Sequence, residues 1–116
     1  MSTPVGPYTP IVRAGDWLVV SGQVGIREGV LVTGGLQGEL HQALENMKAL
    51  LEREGGRLDQ VVKTMVFLRH MGDYSVMNEI YTGFFGDHRP ARSAIAVAEL
   101  PLGALVEVEA WAYTGA

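Results

Sequence analysis

Two positions carry the residue types most suited to chemistry: Arg92, in the tract Arg89-Pro90-Ala91-Arg92-Ser93, and Glu107. A guanidinium presents parallel N–H donors that match the two oxygens of a carboxylate. A glutamate can orient and deprotonate a water molecule, which typically accelerates a reaction about 10²- to 10⁴-fold. The pair therefore predicts a site for a small molecule that bears a carboxylate.

Other reactive groups form no recognisable pattern. The chain has no cysteine, which excludes a disulfide, a thiolate nucleophile and cysteine-ligated zinc, and fits a reducing compartment. His41, His70 and His88 lack metal-ligand spacing. No nucleophile elbow supports a serine triad. We predict no metal site.

Composition favours one compact domain over residues 1–116. The chain is 47% hydrophobic, which is too apolar for disorder, and its length is near that of a single domain. The net charge of -4 and the scattered basic residues argue against nucleic acid as a partner. The sequence shows neither a signal peptide nor a membrane-spanning stretch, so we expect a cytoplasmic protein with no membrane partner.

Hydrophobic periodicity predicts the elements that must position these residues. Strands are expected over residues 17–21, 30–32, 61–68, 91–98 and 105–113. A helix is expected from Leu36 to about Arg53, stopped by Gly55-Gly56, and a second from its N-cap Asp73 to Gly86. This order favours an α+β fold, a mixed β-sheet with two helices packed on one face.

The period of two along a strand then assigns side chains to the two faces of the sheet. In residues 91–98, Ile95 and Val97 suit the helix side, which leaves Arg92, Ala94 and Ala96 opposite. In residues 105–113, the residues suited to the helix side are Val106, Val108 and Ala110. Those left opposite are Leu105, Glu107, Glu109 and Trp111. We therefore expect Arg92 and Glu107 on one helix-free face, which a second subunit would cover.

A simple hairpin of the last two strands conflicts with a shared site. Around the link Leu100-Pro101-Leu102-Gly103, Arg92 would pair near Tyr113, roughly 20 Å from Glu107. Either the two strands are not neighbours in the sheet, or Arg92 meets Glu107 of another chain.

An ordered series of motifs runs along nearly the whole chain. It comprises Gly6-Pro7-Tyr8, Ser21-Gly22-Gln23, Met77-Asn78-Glu79-Ile80-Tyr81, Pro90-Ala91-Arg92-Ser93, Leu100-Pro101 and Val106-Glu107-Val108-Glu109. The series resembles the reactive intermediate deaminase family, RidA/YjgF. The resemblance implies a chorismate-mutase-like α+β fold, a homotrimer with interfacial sites, and hydrolysis of enamine or imine acids such as 2-aminoacrylate to 2-keto acids and ammonia, without a cofactor.

The resemblance also implies roles for individual residues. Arg92 matches the arginine that holds the substrate carboxylate, and Glu107, rather than Glu109, matches the glutamate associated with the attacking water. Tyr8, Ser21 and Gly22 match pocket residues, and the Tyr8 hydroxyl is suited to donate to substrate or water. Asn78, counted with the substrate-binding positions, matches a family position that we expect to support the fold or the pocket wall. Backbone N–H groups near Ser93 and Ala94 are suited to hold the second carboxylate oxygen of the substrate.

The sequence departs from the family pattern in three places. Ala94 stands where many relatives have cysteine, and Thr9-Pro10 follows Tyr8 where Ser-Gln or Val-Gln is common. The segment Gly86-Asp87-His88-Arg89 is a short lead into Pro90, which leaves substrate preference open.

The function expected is an enamine/imine deaminase. The alternative is a non-catalytic module that binds or senses small carboxylates in the same trimer cleft. RNA cleavage, an activity assigned to parts of this family, is a third hypothesis. The net negative charge of the chain argues against it.

Overall fold

A computed structural model of the protein describes residues 6–116. The strands in this part of the chain are β1 (Ile11–Ala14), β2 (Trp17–Gln23), β3 (Ile26–Arg27), β4 (Val30–Leu31), β5 (Val61–Leu68), β6 (Ala91–Ala96) and β7 (Val106–Tyr113). The helices are α1 (Gly35–Arg53) and α2 (Tyr74–Phe85). No helix of residues 6–116 is long and apolar enough to cross a membrane.

Five strands form one mixed sheet in the order β1-β2-β7-β5-β6. β6 lies parallel to β5, as expected for strands joined by a crossover helix, and the other pairs are antiparallel. β3 and β4 form a separate two-stranded ribbon. Because β5 lies between β6 and β7, the last two strands are not neighbours, and the hairpin that would have split the site does not form.

The two helices begin and end near the predicted signals. α1 ends where Glu54 and Gly55 leave the helix, and Gly55 has a φ of 82°, a conformation that glycine adopts without strain. Asp73 occupies the predicted N-cap of α2, but its side chain makes no capping hydrogen bond. Gly86 ends α2 with a φ of 67°.

The hydrophobic core lies between the helices and one face of the sheet. α1 contributes Leu40, Leu44, Met47 and Leu51, all fully buried. α2 contributes Met77, Tyr81 and Phe85 to the same cluster. The predicted arrangement, two helices packed on one face of a mixed sheet, is therefore confirmed.

The prediction for the faces of β6 is wrong. Arg92 lies beside Thr64, which is fully buried on the helix side, and the Arg92 guanidinium contacts Tyr74 and Met77 of α2. Ala94 packs against the core, whereas Ile95 is 42% exposed on the opposite side. β6 is an edge strand of small residues, so its apolar side chains did not mark its buried face.

The prediction for the faces of β7 is correct within the strand. Val106, Val108 and Ala110 are buried on the helix side, and Glu107 and Glu109 are half-buried opposite. Leu105 precedes the strand and packs against the core instead. We call the helix-free side of the sheet the open face. Its side chains include Trp17, Val19, Lys63, Met65, Phe67, Ser93, Ile95, Glu107, Glu109 and Trp111.

Arg92 and Glu107 thus point to opposite sides of the sheet within one chain. The expectation that they share a face is wrong, because the parallel β5–β6 register turns Arg92 towards α2.

Candidate functional site

The Glu107 carboxylate lies against a bulge in β2. Val20 pairs with Ala110 and Gln23 with Val108, so β2 has one more residue than β7 in this interval and the extra length falls at Ser21-Gly22. A Cβ atom on Gly22 would lie 2.7 Å from Oε2 of Glu107. Glycine is therefore required here to let the carboxylate rest against the backbone.

A pocket of about 320 Å³ opens in front of this carboxylate. We call it the Glu107 pocket, and its lining residues are Tyr8, Ser21, Gly22, Pro101, Glu107 and Glu109. Ser21 Oγ donates to the carbonyl oxygen of Thr9 at 2.6 Å, which ties the segment that carries Tyr8 to the bulge. The structure therefore brings together four residues singled out in the sequence: Tyr8, Ser21, Gly22 and Glu107.

Two neighbouring carboxyl groups make this pocket acidic. Partial burial raises the pKa of Glu107 above 4.5, and the charge of Glu109 raises it further. Partial burial also raises the pKa of Glu109. A carboxylate with a raised pKa is a stronger base, as proton abstraction from water requires.

A buried glutamate that sequence reasoning missed holds the start of β7. Glu39 of α1 is 5% exposed, and its Oε1 accepts a hydrogen bond from the backbone N–H of Leu105 at 2.7 Å. This contact fixes the chain two residues before Glu107. An acidic residue on the apolar side of a predicted helix was the available signal.

The Arg92 guanidinium lies between two tyrosine rings of α2. Its Cζ is 4.9 Å from the ring centroid of Tyr81 and 5.5 Å from that of Tyr74. Nη2 donates to the Tyr74 hydroxyl at 3.1 Å, and Nη1 lies 3.6 Å from the Met77 sulfur. Within residues 6–116, no carboxylate forms a salt bridge with Arg92.

The Tyr81 side chain is itself held in place by a hydrogen bond to β5. Its hydroxyl forms a 2.6 Å hydrogen bond with the Thr64 hydroxyl, which is fully buried. Burial raises the pKa of Tyr81, so its phenol is neutral at physiological pH. The sequence analysis treated Tyr81 as part of an apolar helix face and missed this supporting role, which requires the pairing of β5 with β6.

A second pocket, of about 390 Å³, is lined in part by the Arg92 side chain. We call it the arginine pocket, lined by Asn78, Tyr81, Thr82, Arg89, Pro90 and Arg92. Asn78 thus accompanies Arg92 as expected. Its Oδ1 is buried, and no residue of the described part of the chain donates to it.

Ser93 and Ala94 point to different sides of β6. The Ser93 hydroxyl lies on the open face, 3.3 Å from Nζ of Lys63, and the Ala94 methyl group packs inward. Because β6 is an edge strand, alternate backbone N–H groups point away from the sheet. Backbone donation to a ligand at this edge stays a prediction.

The arginine pocket and the Glu107 pocket share no lining residue. One chain therefore presents two separate pockets, a cationic one beside α2 and an acidic one at the β2 bulge. Among residues 6–116 there is no group of three or more His, Cys, Asp or Glu side chains placed to hold a metal ion.

Comparison with known proteins identifies the family to which this chain is similar. The family model described as Endoribonuclease L-PSP matches residues 1–114. The human protein named 2-iminobutanoate/2-iminopropanoate deaminase is 42% identical over 113 residues, covering 96% of this chain and 82% of the relative. A RutC family protein of Pyrococcus horikoshii is 43% identical over 112 residues, covering 95% of this chain and 89% of the relative.

The chain is a member of the RidA/YjgF family.

The crystal structure of the YjgF gene product of E. coli supports the same assignment for the fold. It has a TM-score of 0.91 and 33% identity, and the match covers 97% of this chain and 91% of that structure. The chorismate-mutase-like fold expected from the sequence resemblance is therefore confirmed. Within this RidA/YjgF chain, Arg92 and Glu107 lie in separate pockets.

Proposed function

We propose that this protein hydrolyses reactive enamine and imine acids to 2-keto acids and ammonia. The supporting observation is that relatives about 42% identical over nearly the whole chain are named 2-iminobutanoate/2-iminopropanoate deaminases. Two side chains suit this reaction. Arg92 is a cation without a salt-bridge partner in residues 6–116, and Glu107 is a carboxylate whose pKa is raised.

In the proposed mechanism, Arg92 binds the substrate carboxylate through two parallel hydrogen bonds. Glu107 takes a proton from water as the water oxygen bonds to the imine carbon. The protonated Glu107 then gives that proton to the nitrogen, which forms a carbinolamine. Glu107 next takes the hydroxyl proton of the carbinolamine and passes it to the nitrogen as the carbon–nitrogen bond breaks, so that the carbonyl forms and ammonia leaves. Imine and water give keto acid and ammonia, so atoms and charge balance. Tyr8 donates a hydrogen bond to water or substrate.

An assay of imine decay tests this activity. A dehydratase generates 2-aminoacrylate in the presence of the protein, and the disappearance of the intermediate is followed by absorbance. We expect clear acceleration that needs no added metal or cofactor. Binding of pyruvate and 2-oxobutanoate in calorimetry without acceleration would instead favour the non-catalytic module. RNA binding that weakens with salt would contradict the expected absence of a nucleic-acid partner.

We further propose a homotrimer in which the arginine pocket of one chain faces the Glu107 pocket of the next. Two features support this arrangement. The two pockets share no lining residue, and the open face exposes large apolar side chains such as Trp17 and Ile95. Light scattering should give a mass near 3 × 12.5 kDa. A mass near 12.5 kDa would contradict the trimer.

Mixing two impaired variants tests the shared site directly. Arg92→Ala and Glu107→Gln chains, refolded together in equal amounts and assayed at low substrate concentration, should recover about one quarter of the wild-type kcat/KM. Each interfacial site has a chance of one half of receiving an intact arginine and one half of receiving an intact glutamate. If both residues came from the same chain, no mixture would recover activity. The cytoplasmic location stays a prediction.

Gly22→Ala should lower kcat by about tenfold to a hundredfold while leaving the fold intact. The added methyl group would meet only the flexible end of the Glu107 side chain, so the carboxylate moves rather than the backbone. Gly83→Ala is the matched control, because no atom lies within 4 Å of its added Cβ. Steady-state kinetics and thermal melts of both variants check the prediction, and unchanged kcat in Gly22→Ala would contradict it.

A further inference from the structure

The arginine pocket contains a second cation that the proposed mechanism does not use. Arg89 lines the pocket together with Arg92, and these are its charged lining residues. Neither guanidinium forms a salt bridge within residues 6–116, where the ion pairs are His41–Glu45, Arg53–Glu54 and Arg57–Asp59. Two cations in one concave site, neither with an ion-pair partner in the described part of its own chain, favour an anionic ligand with more charge than a single carboxylate.

The Arg89 side chain is held in place by the turn that follows α2. Its Nη1 donates to the carbonyl oxygens of Gly86 and His88. His88 Nε2 in turn lies 2.7 Å from the carbonyl oxygen of Val61 and donates to it when that nitrogen carries the proton, which ties the turn to β5. An anchored side chain loses less conformational freedom on binding, so its interactions contribute more fully to affinity.

Anchoring leaves part of the Arg89 fork available. A guanidinium has five N–H donors, and the two on Nη1 are directed to the turn. The donors on Nε and Nη2 have no partner within residues 6–116. Residues 89 and 92 are at most about 10 Å apart along an extended chain, so both side chains can reach one small molecule.

We propose that Arg89 forms a subsite for a second carboxylate, so that the preferred substrates are 2-imino dicarboxylic acids of four or five carbons. This inference rests on the proposed function, in which Arg92 holds the carboxylate next to the imine. The distal carboxylate then binds Arg89 and is unchanged when the carbon–nitrogen bond is hydrolysed. The cavity of about 390 Å³ is large enough for such a molecule.

Binding of two product analogues of equal length tests the subsite. Calorimetry compares 2-oxoglutarate with 2-oxopentanoate, which has a methyl group in place of the distal carboxylate. The wild-type protein should bind 2-oxoglutarate about tenfold to a hundredfold more tightly. Arg89→Ala should reduce this ratio to near one. Arg89→Lys should keep part of it, because the charge remains and the planar fork is lost.

Arg57→Ala is the control, since it removes the same charge from an exposed ion pair outside the pocket and should leave the ratio unchanged. A ratio near one in the wild type, or an unchanged ratio in Arg89→Ala, would overturn the inference. Hydrolysis rates of the two corresponding five-carbon imines, generated by an amino-acid oxidase, distinguish a failure of the proposed subsite from a failure of the proposed deaminase activity. A binding preference without hydrolysis of either imine supports the subsite and contradicts the deaminase.

Discussion

Replacing Glu107 with glutamine should lower kcat for imine hydrolysis by about 10²- to 10⁴-fold, because the amide cannot accept the proton of the attacking water. The substitution keeps the shape of a side chain that lies against Gly22. Since burial and Glu109 favour the protonated form of Glu107 in the folded protein, a neutral amide should not reduce stability at neutral pH. Single-turnover kinetics and thermal melts distinguish lost chemistry from misfolding.

Glu109→Gln is the matched control, because it removes the neighbouring carboxylate from the same pocket. It should retain most of the activity at neutral pH. If Glu109→Gln abolished turnover and Glu107→Gln did not, the assignment of the base would be reversed.

The pH profile gives a second readout of the same pair. Glu107 must be ionised to act as a base, so kcat should fall as the pH falls through its pKa. Because this pKa is raised above 4.5, the fall should begin at a higher pH than for an ordinary glutamate. Glu109→Gln removes one repulsive charge and should move the acidic limb to lower pH. An unmoved limb would argue against coupling of the two carboxyl groups.

Replacing Arg92 with alanine should lower kcat/KM by about 100-fold, mainly through a higher KM. The charged contact between the guanidinium and the carboxylate, which contributes roughly 1.5 to 3 kcal/mol, is lost. Arg92→Lys should recover only part of the affinity, because the ammonium lacks the planar fork that lies between Tyr74 and Tyr81.

Arg57→Ala provides the control for lost charge, as an exposed arginine that lines neither pocket. Initial rates with 2-iminopropanoate, measured over a range of substrate concentrations, separate KM from kcat. Full activity in Arg92→Ala would contradict the proposed clamp. A loss of thermal stability in that variant without a change in KM would instead mean that Arg92 serves only to pack against α2.

Local signals were enough to predict most of the elements. The helix over residues 36–53 and the strand over residues 61–68 agree with α1 and β5 almost residue for residue, since long amphipathic patterns and flanking glycines mark them. The alternation in β7 also gave the correct face for Glu107. Short elements without such patterns, β1 and β3, were missed.

The sequence picked out residues that the structure groups into two pockets, but it did not predict where those pockets lie in the fold. Tyr8, Ser21, Gly22 and Glu107 do line one pocket, and Asn78 does accompany Arg92. The supporting contacts of Tyr81 with Thr64, and of Glu39 with Leu105, join residues distant in the chain, so no local signal identifies the partner of either residue.

The sequence alone determined which side chains are available: an arginine suited to a carboxylate, a glutamate suited to water, and the helices and strands that carry them. Only the tertiary structure decided that Arg92 and Glu107 lie on opposite sides of the sheet. Strand order and register arise from contacts between distant segments, and a shift of one residue reverses every side chain of a strand. In β6 the face is set by its parallel register with β5, where Thr64 beside Arg92 is buried.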